Sequence, residues 1–245
     1  MTAMPPILDI DRLCKKFGGI RAINGLNISV APGIVTGLLG PNGSGKTTLF
    51  NLITGVYLSD SGTVRFNGED ITNKPPHRIA LKGISRTFQT TKLFFSQSVT
   101  DNIAIAMIAG TEEKKGIKKT DEKIDKVLEF TSLSDLRNSN AFDLTHAEQR
   151  RLMVAMALVK DPDLLMLDEI TSGMSGEECN GIMAMVERIK GNGTTVIMIE
   201  HNMRVAMALC DHVVVISFGE KIAEGSPEEI TRNEAVLEAY LGKDE

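Results

Sequence analysis

Nine consecutive residues near the start of the chain have the types and spacing of a phosphate-binding loop. They satisfy the pattern G-x-x-x-x-G-K-[ST] and are Gly40, Pro41, Asn42, Gly43, Ser44, Gly45, Lys46, Thr47 and Thr48. Glycines let backbone N–H groups converge on phosphate oxygens, and the start of a following helix adds a favourable partial charge for an anion. Lys46 can then reach the β- and γ-phosphates, and the Thr47 hydroxyl can ligate Mg²⁺. The sequence therefore predicts a nucleotide-binding loop.

Further polar groups follow two apolar runs later in the chain. Asp168 and Glu169 come directly after residues 164–167, and His201 lies just beyond the run at 194–199. In an open parallel sheet, ligands bind where the strands end. Burying two adjacent carboxylates at that place costs free energy unless they bind a metal or take part in proton transfer. We therefore expect these three side chains to lie at one sheet edge, with His201 near the γ-phosphate.

The elements that must position these groups are recognisable by pattern. Residues 34–39 form a short, mostly apolar run that is typical of a buried parallel strand, and residues 48–53 read as a helix that stops at Gly55. The S/T-x-x-E form of a capping box occurs at residues 145–148, 175–178 and 226–229. The first of these predicts a helix over 149–160. The pattern as a whole indicates an α/β protein.

Composition sets further limits on function. The chain has 245 residues with a hydrophobic fraction of 42% and a net charge of −5, which gives no reason to expect a nucleic-acid partner. Its three cysteines lack metal-ligand spacing, which favours reduced thiols in a cytosolic protein. No apolar run approaches the roughly 18 residues needed to span a bilayer. Any role at a membrane is therefore expected to depend on a partner.

Five elements in a fixed order resemble the ATP-binding subunit of ABC transporters, and the resemblance covers essentially the whole chain. They are residues 40–48, Gln89, residues 144–148, residues 164–169 and His201. The resemblance implies the P-loop NTPase fold of ABC ATPases, which is of the α/β class. That fold has a mixed, largely parallel sheet core, an N-terminal antiparallel β subdomain and an inserted α-helical subdomain. We expect one domain over 1–245, with the catalytic core at about 1–93 and 161–245 and the helical subdomain at about 94–160.

The resemblance also implies a role for each site residue. Phe17 is similar to the aromatic residue that stacks on adenine, and Gln89 to the Q-loop residue that couples Mg²⁺ to the membrane partner. Asp168 resembles the Walker B aspartate, Glu169 the general base and His201 the switch histidine. The cofactors implied are ATP and Mg²⁺, and the activity is ATP hydrolysis. The implied catalytic set is Lys46, Gln89, Glu169 and His201, and the implied Mg²⁺ ligands are Thr47, Gln89 and Asp168.

Two segments depart from the family pattern. The signature L-S-G-G-Q is replaced by L-T-H-A-E, in which Thr145 keeps a hydroxyl while His146 and Ala147 replace glycines that permit close backbone approach. Glu148 adds a carboxylate that competes with an incoming phosphate, and Ser175 replaces the aspartate of the D-loop. In the family, both segments serve the nucleotide held by the partner subunit. The departures therefore predict an asymmetric heterodimer in which the composite site built on this chain's signature is weak.

Four short segments narrow the resemblance to one subfamily, and that subfamily suggests the partners. Residues 16–19, 85–89, 199–203 and 239–242 resemble the subfamily that imports branched-chain amino acids, which also includes carriers of urea and short amides. The implied partners are a second ATP-binding subunit, integral membrane permease subunits and, indirectly, an external solute-binding protein. This places the chain on the inner face of the cell membrane. Two alternatives stay open: an assembly or regulatory ATPase of the same fold, and a subunit that binds ATP with little hydrolysis.

Overall fold

The computed structural model describes residues 4–88, 92–108 and 117–241, and its strands form two sheets. In chain order the strands are β1 (Leu8–Phe17), β2 (Ile20–Val30), β3 (Val35–Leu39), β4 (Ser61–Phe66), β5 (Glu69–Asp70), β6 (Ile84–Arg86), β7 (Leu164–Asp168), β8 (Thr195–Ile199), β9 (His212–Ser217) and β10 (Glu220–Gly225). A four-stranded sheet has the order β2-β1-β4-β5, and a six-stranded sheet has the order β10-β9-β3-β8-β7-β6.

Helices connect and cover these strands. They are α1 (Lys46–Ile53), α2 (Pro76–Ala80), α3 (Val99–Ile108), α4 (Ile117–Phe130), α5 (His146–Leu158), α6 (Gly176–Gly191), α7 (Met203–Leu209), α8 (Pro227–Thr231) and α9 (Glu234–Leu241). Within the described ranges, no helix is both long and apolar enough to cross a membrane.

Strand order in the six-stranded sheet explains why distant motifs meet. β3, β7 and β8 are buried along their whole length and pair in parallel, as continuous apolar runs require. Leu38 of β3 and Asp168 of β7 both pair with Ile199 of β8, so the three strands end at the same level. The loop at 40–48, the acidic pair and His201 therefore emerge at one edge. The antiparallel pairing of β10 with β9 makes this sheet mixed, and the α/β fold predicted from the sequence is confirmed.

Three apolar clusters form the interior. The first lies between the two sheets and includes Phe50 and Phe66, and the second packs α6 and α7 against the other face of the six-stranded sheet. The third joins α3, α4 and α5 and is built from residues between Leu93 and Val159. This separate cluster supports a helical subdomain, although its boundaries at 94 and 160 stay a prediction.

One predicted helix differs in its bounds. The helix expected over 149–160 is α5, which begins at His146 and ends at Leu158. It begins earlier because the Thr145 hydroxyl caps it, so that the first helical residue follows the cap at once. It ends earlier because Asp161 has a φ of 50° ahead of Pro162, and neither conformation continues a helix.

Candidate active site

The loop at 40–48 joins β3 to α1 in a conformation that only glycine permits. Gly40 has a φ of 147°, and a Cβ there would lie 2.0 Å from the carbonyl oxygen of Ile216. Gly45 has a φ of 108°, and its Cβ would lie 2.5 Å from the carbonyl oxygen of Ala22. Gly45 is also the N-cap residue of α1. Because glycine has no side chain to cap the helix, no side chain accepts a hydrogen bond from the first N–H groups of α1 at this cap. The loop can therefore receive an anion at a helix start.

Lys46 lies inside this loop. Its side chain is buried, and Nζ donates to the carbonyl oxygens of Gly40 at 2.7 Å and Pro41 at 2.9 Å. Burial lowers the pKa of Lys46, whereas the nearby charges of Glu169 and Asp168 raise it. The lysine thus shares one electrostatic environment with the acidic pair. Phosphate oxygens entering the loop would compete with the two carbonyls for the ammonium group.

Asp168 is almost fully buried at the end of β7, and its two carboxylate oxygens differ. Oδ2 accepts a hydrogen bond from Nη2 of Arg86 at 2.7 Å, whereas Oδ1 has no hydrogen-bond partner within the described residues. Burial raises the pKa of Asp168, and the bond from Arg86 lowers it. A buried carboxylate oxygen without a donor suits a hard cation such as Mg²⁺. The Thr47 hydroxyl, exposed in the first turn of α1, is a second ligand of the same kind.

Glu169 is held in an unusual conformation against His201. Its φ is 50°, its N–H donates to the carbonyl oxygen of Ile199 at 2.9 Å, and its Oε1 lies 2.6 Å from Nε2 of His201. Residues other than glycine rarely adopt such φ values, and they are enriched at functional sites. The Glu169 side chain is only 11% exposed and that of His201 is 42% exposed, so the imidazole is the exposed member of the pair. The largely buried carboxylate is therefore already fixed in place at the sheet edge.

Two charged residues missed by the sequence analysis lie beneath this pair. Glu200 is buried and accepts hydrogen bonds from Thr171, from the backbone N–H at 3.2 Å and from Oγ1 at 2.9 Å. Burial raises the pKa of Glu200. Arg150 of α5 is also buried, and burial lowers its pKa while the charges of Glu169, Glu200 and Asp168 oppose that shift. The edge therefore carries a network of buried charges. The position of Glu200 directly after an apolar run marks it in the sequence, whereas no local pattern marks Arg150.

Phe17 ends β1 in an exposed aromatic cluster. The ring is 42% exposed, its centroid lies 5.1 Å from that of Tyr57 in an edge-on arrangement, and Nζ of Lys15 is 5.3 Å from it. An exposed ring supported by a second ring has the form of a stacking surface. Its contact with adenine stays a prediction. Tyr57, which the sequence analysis did not single out, is part of this surface.

The altered signature forms a complete capping box. The Thr145 N–H and hydroxyl donate to Oε2 of Glu148 at 2.8 and 2.9 Å, and the Glu148 N–H donates to the Thr145 hydroxyl at 3.3 Å. Thr145 and His146 are exposed, whereas Ala147 is buried. Ser175 makes the equivalent box with Glu178 at the start of α6. Both hydroxyls are therefore already bonded to a carboxylate of their own helix.

Gln89 lies outside the described residues, but Arg86 and Phe88, which precede it in the sequence, line a groove. This groove has a volume of about 310 Å³ and runs between α2, β6, α3 and α5. Its lining is mainly apolar with three cationic side chains, those of Arg86, Lys92 and Lys160, and it also includes Phe88.

Comparisons with known proteins identify the family of the chain. A family model described as "ABC transporter" matches residues 23–172, and one described as "Branched-chain amino acid ATP-binding cassette transporter" matches residues 220–245. The chain is 36% identical to the high-affinity branched-chain amino acid transport ATP-binding protein BraF of Pseudomonas aeruginosa, over 97% of this chain and 98% of that protein. It is 38% identical to the probable branched-chain amino acid transport ATP-binding protein LivG of Archaeoglobus fulgidus, over 96% and 95%.

Solved structures give the same result. A nucleotide-free ATP-binding cassette from an ABC transporter superposes with a TM-score of 0.90 at 34% identity, covering 97% of this chain and 100% of that one. The ADP conformation of an ATP-binding cassette of an ABC transporter gives a TM-score of 0.89 at 34% identity, over 97% and 99%.

Proposed function

This chain belongs to the ABC transporter family, and we propose that it hydrolyses ATP to drive import of branched-chain amino acids or related small polar solutes. The observation that carries the proposal is the contact of 2.6 Å between Glu169 and His201 at the sheet edge that also bears the phosphate-binding loop. The names of the relatives, which align with nearly the whole chain, support the cargo.

Binding begins in the loop at 40–48. The ATP phosphates take the place of the Gly40 and Pro41 carbonyls as acceptors for Lys46, and the N–H groups at the start of α1 complete the cradle. Phe17 stacks on the adenine ring. Thr47, Gln89 and Asp168, the last through Oδ1, are the residues that would hold Mg²⁺, which neutralises charge on the phosphates when bound.

Hydrolysis relies on a base that is fixed before the substrate arrives. Glu169 orients the attacking water and accepts its proton, because its side chain is held by His201 at the edge that bears the phosphate-binding loop. Lys46 and His201 then offset the negative charge that develops on the γ-phosphoryl group.

The partner subunit supplies the other half of the competent site. The capping boxes of Thr145 and Ser175 engage the hydroxyls that would face the partner's nucleotide, and Glu148 adds a negative charge there. We therefore propose a heterodimer in which an intact signature from the partner closes on this chain's ATP. The site built on this chain's signature is the weaker of the two.

The membrane partners are integral permease subunits, and the groove lined by Arg86, Phe88 and Lys160 is the surface on which they dock. A solute-binding protein delivers cargo to them from outside. In this arrangement the chain is peripheral on the inner face of the cell membrane.

The decisive experiment replaces Glu169 by Gln in the intact complex isolated with this chain. We expect ATP turnover to fall about 10²- to 10⁴-fold while ATP binding is retained, because only the proton acceptor is lost. Glu129→Gln on exposed α4 is the matched control, and it should leave turnover unchanged. The corresponding change in the partner ATPase should have a much smaller effect. Unchanged turnover in Glu169→Gln contradicts the assigned base, and a fully active homodimer of the purified chain contradicts the heterodimer.

A second candidate function is an ATP-binding subunit with little hydrolysis of its own. It is favoured by the engaged hydroxyls of Thr145 and Ser175. The same experiment separates the two, because a binding-only subunit would tolerate Glu169→Gln while the complex kept its turnover. Isolation of the complex also addresses an assembly or regulatory role, for which the co-purifying partners would be soluble proteins instead of permeases.

A further inference from the structure

The side chain of Arg86 connects three parts of the molecule at the end of β6. It is 6% exposed, and its Nη2 donates to Oδ2 of Asp168 at 2.7 Å. Nη1 donates to Oδ1 of Asn51 on α1 at 2.6 Å. Since α1 begins in the phosphate-binding loop, one guanidinium group joins the helix of that loop to the carboxylate at the end of β7.

Two aromatic rings fix the guanidinium group from its sides. Its central carbon lies 5.3 Å from the ring centroid of Phe50 on α1 and 5.1 Å from that of Phe88. Phe50 is fully buried, whereas Phe88 lines the groove ahead of Gln89. The cation therefore has a rigid contact in the core and a second contact at the groove surface. Arginine suits such a site because its planar fork can donate in two directions and stack on rings at once.

The bond from Arg86 determines which oxygen of Asp168 is available. It engages Oδ2, while Oδ1 is buried without a hydrogen-bond partner among the described residues. A carboxylate whose one oxygen is fixed by a planar donor cannot rotate freely. Groups that orient a metal ligand in this way typically affect metal affinity about 10- to 100-fold.

We propose that Arg86 is a positioning residue that presents Oδ1 of Asp168 to Mg²⁺ and links this carboxylate to the permease-docking groove. This link rests on the proposed function, because only in a transporter subunit does a partner bound in the groove need to affect the bound nucleotide. A partner that displaces Phe88 shifts the guanidinium, and the guanidinium shifts Asp168. The groove thus reaches the metal ligand through side-chain contacts, in addition to any path through Gln89.

The test measures binding of a fluorescent ADP analogue to the purified chain with Mg²⁺ and again with EDTA. Arg86→Lys keeps the positive charge but loses the fork and the stacking. We expect its affinity in EDTA to stay within about twofold of the wild type, while the gain on adding Mg²⁺ falls about tenfold. Arg78→Lys, on exposed α2, is the matched control and should behave as the wild type.

A milder variant tests the groove side of the contact. Phe88→Leu leaves the hydrogen bonds of Arg86 to Asp168, Asn51 and Thr54 possible but removes one ring, so we expect a smaller loss of the Mg²⁺ gain, about two- to fivefold. Phe88→Leu also tests the proposal if Arg86→Lys does not fold, and a thermal melt would detect that failure. The proposal is overturned if the folded variants gain as much affinity for the ADP analogue on adding Mg²⁺ as the wild type does. It is also overturned if they lose affinity equally with Mg²⁺ and with EDTA, because that result indicates a purely structural ion pair. A wild-type chain that binds no nucleotide under either condition instead contradicts the proposed function.

Discussion

Replacing Glu148 by Gln separates two roles that one side chain combines in the altered signature. Glu148 closes the capping box of α5 by accepting from the N–H and hydroxyl of Thr145 at 2.8 and 2.9 Å. It also places a negative charge in the first helical turn, where the family binds the partner's phosphate. Glutamine keeps an oxygen for the box but carries no charge. The substitution should therefore preserve the helix and improve the surface offered to the partner's ATP.

The two effects have different expected sizes. A glutamine oxygen accepts weaker hydrogen bonds than a carboxylate oxygen. In this half-exposed capping box, the difference lowers the free energy of unfolding by less than about 1 kcal/mol, which corresponds to at most roughly 2–4 °C in Tm for a chain of this size. A charge at the start of an exposed helix contributes about 0.3–1 kcal/mol to its interaction with an anion. Removing an unfavourable charge should accordingly tighten closure on the partner's ATP about two- to fivefold.

Closure can be measured by analytical ultracentrifugation of the chain together with the ATPase subunit isolated with it. The quantity compared is the ATP concentration that gives half-maximal association of the two subunits. The matched control is Glu229→Gln, because Glu229 makes the same box with Ser226 at the start of α8. Both variants should lose similar stability, and only Glu148→Gln should associate at lower ATP. If the two variants associate alike, or if Glu148→Gln requires more ATP, the view that this carboxylate opposes the phosphate is wrong.

Two further predictions concern residues that the sequence analysis did not assign to the site. Tyr240→Phe removes the hydroxyl that accepts from the Gly40 N–H at 2.7 Å. The loss of about 1 kcal/mol should lower Tm by roughly 2–4 °C and, because the start of the loop is no longer held, raise the Kd for ATP several-fold. Glu200→Gln should reduce the pH dependence of unfolding, measured in urea between pH 5 and 8. Because burial raises the pKa of Glu200, its stabilising contribution is complete below the unfolded-state pKa and is lost as pH rises through the folded-state pKa. Glutamine does not ionise, so the free energy of unfolding of the variant should fall less with rising pH over that window than that of the wild type.

The sequence predicts the parts of this site that depend on local pattern. The glycines at 40, 43 and 45 all adopt positive φ values, as the loop motif requires. The apolar runs that become β3, β7 and β8 are fully buried parallel strands, and the polar residues that follow them meet at one edge. The three S/T-x-x-E segments that the sequence analysis assigned as capping boxes all form them. In each case the signal lies within a few residues, so spacing alone carries it.

The contacts that the sequence analysis missed join residues that are far apart in the chain. Arg86 and Asp168 are 82 positions apart, and Gly40 and Tyr240 are 200 apart. Arg86 and Tyr240 both lie in segments that resemble the subfamily, at 85–89 and 239–242, but the sequence does not identify their partners, because only the folded chain brings those partners close. The positive φ of Glu169 is equally invisible, since it results from the bond of its N–H to the end of β8.

We propose that the two halves of the site differ because of these long-range contacts. The half that would bind this chain's own nucleotide is held in place by contacts behind it: Arg86 holds Asp168, His201 holds Glu169, and Tyr240 holds the start of the loop. These contacts leave Oδ1 of Asp168 without a hydrogen-bond partner among the described residues. In the half that we propose faces the partner, the polar groups of Thr145 and Ser175 bond within their own helices. A phosphate must break these bonds before it can use the hydroxyls, which is why we propose that this half is the weaker one.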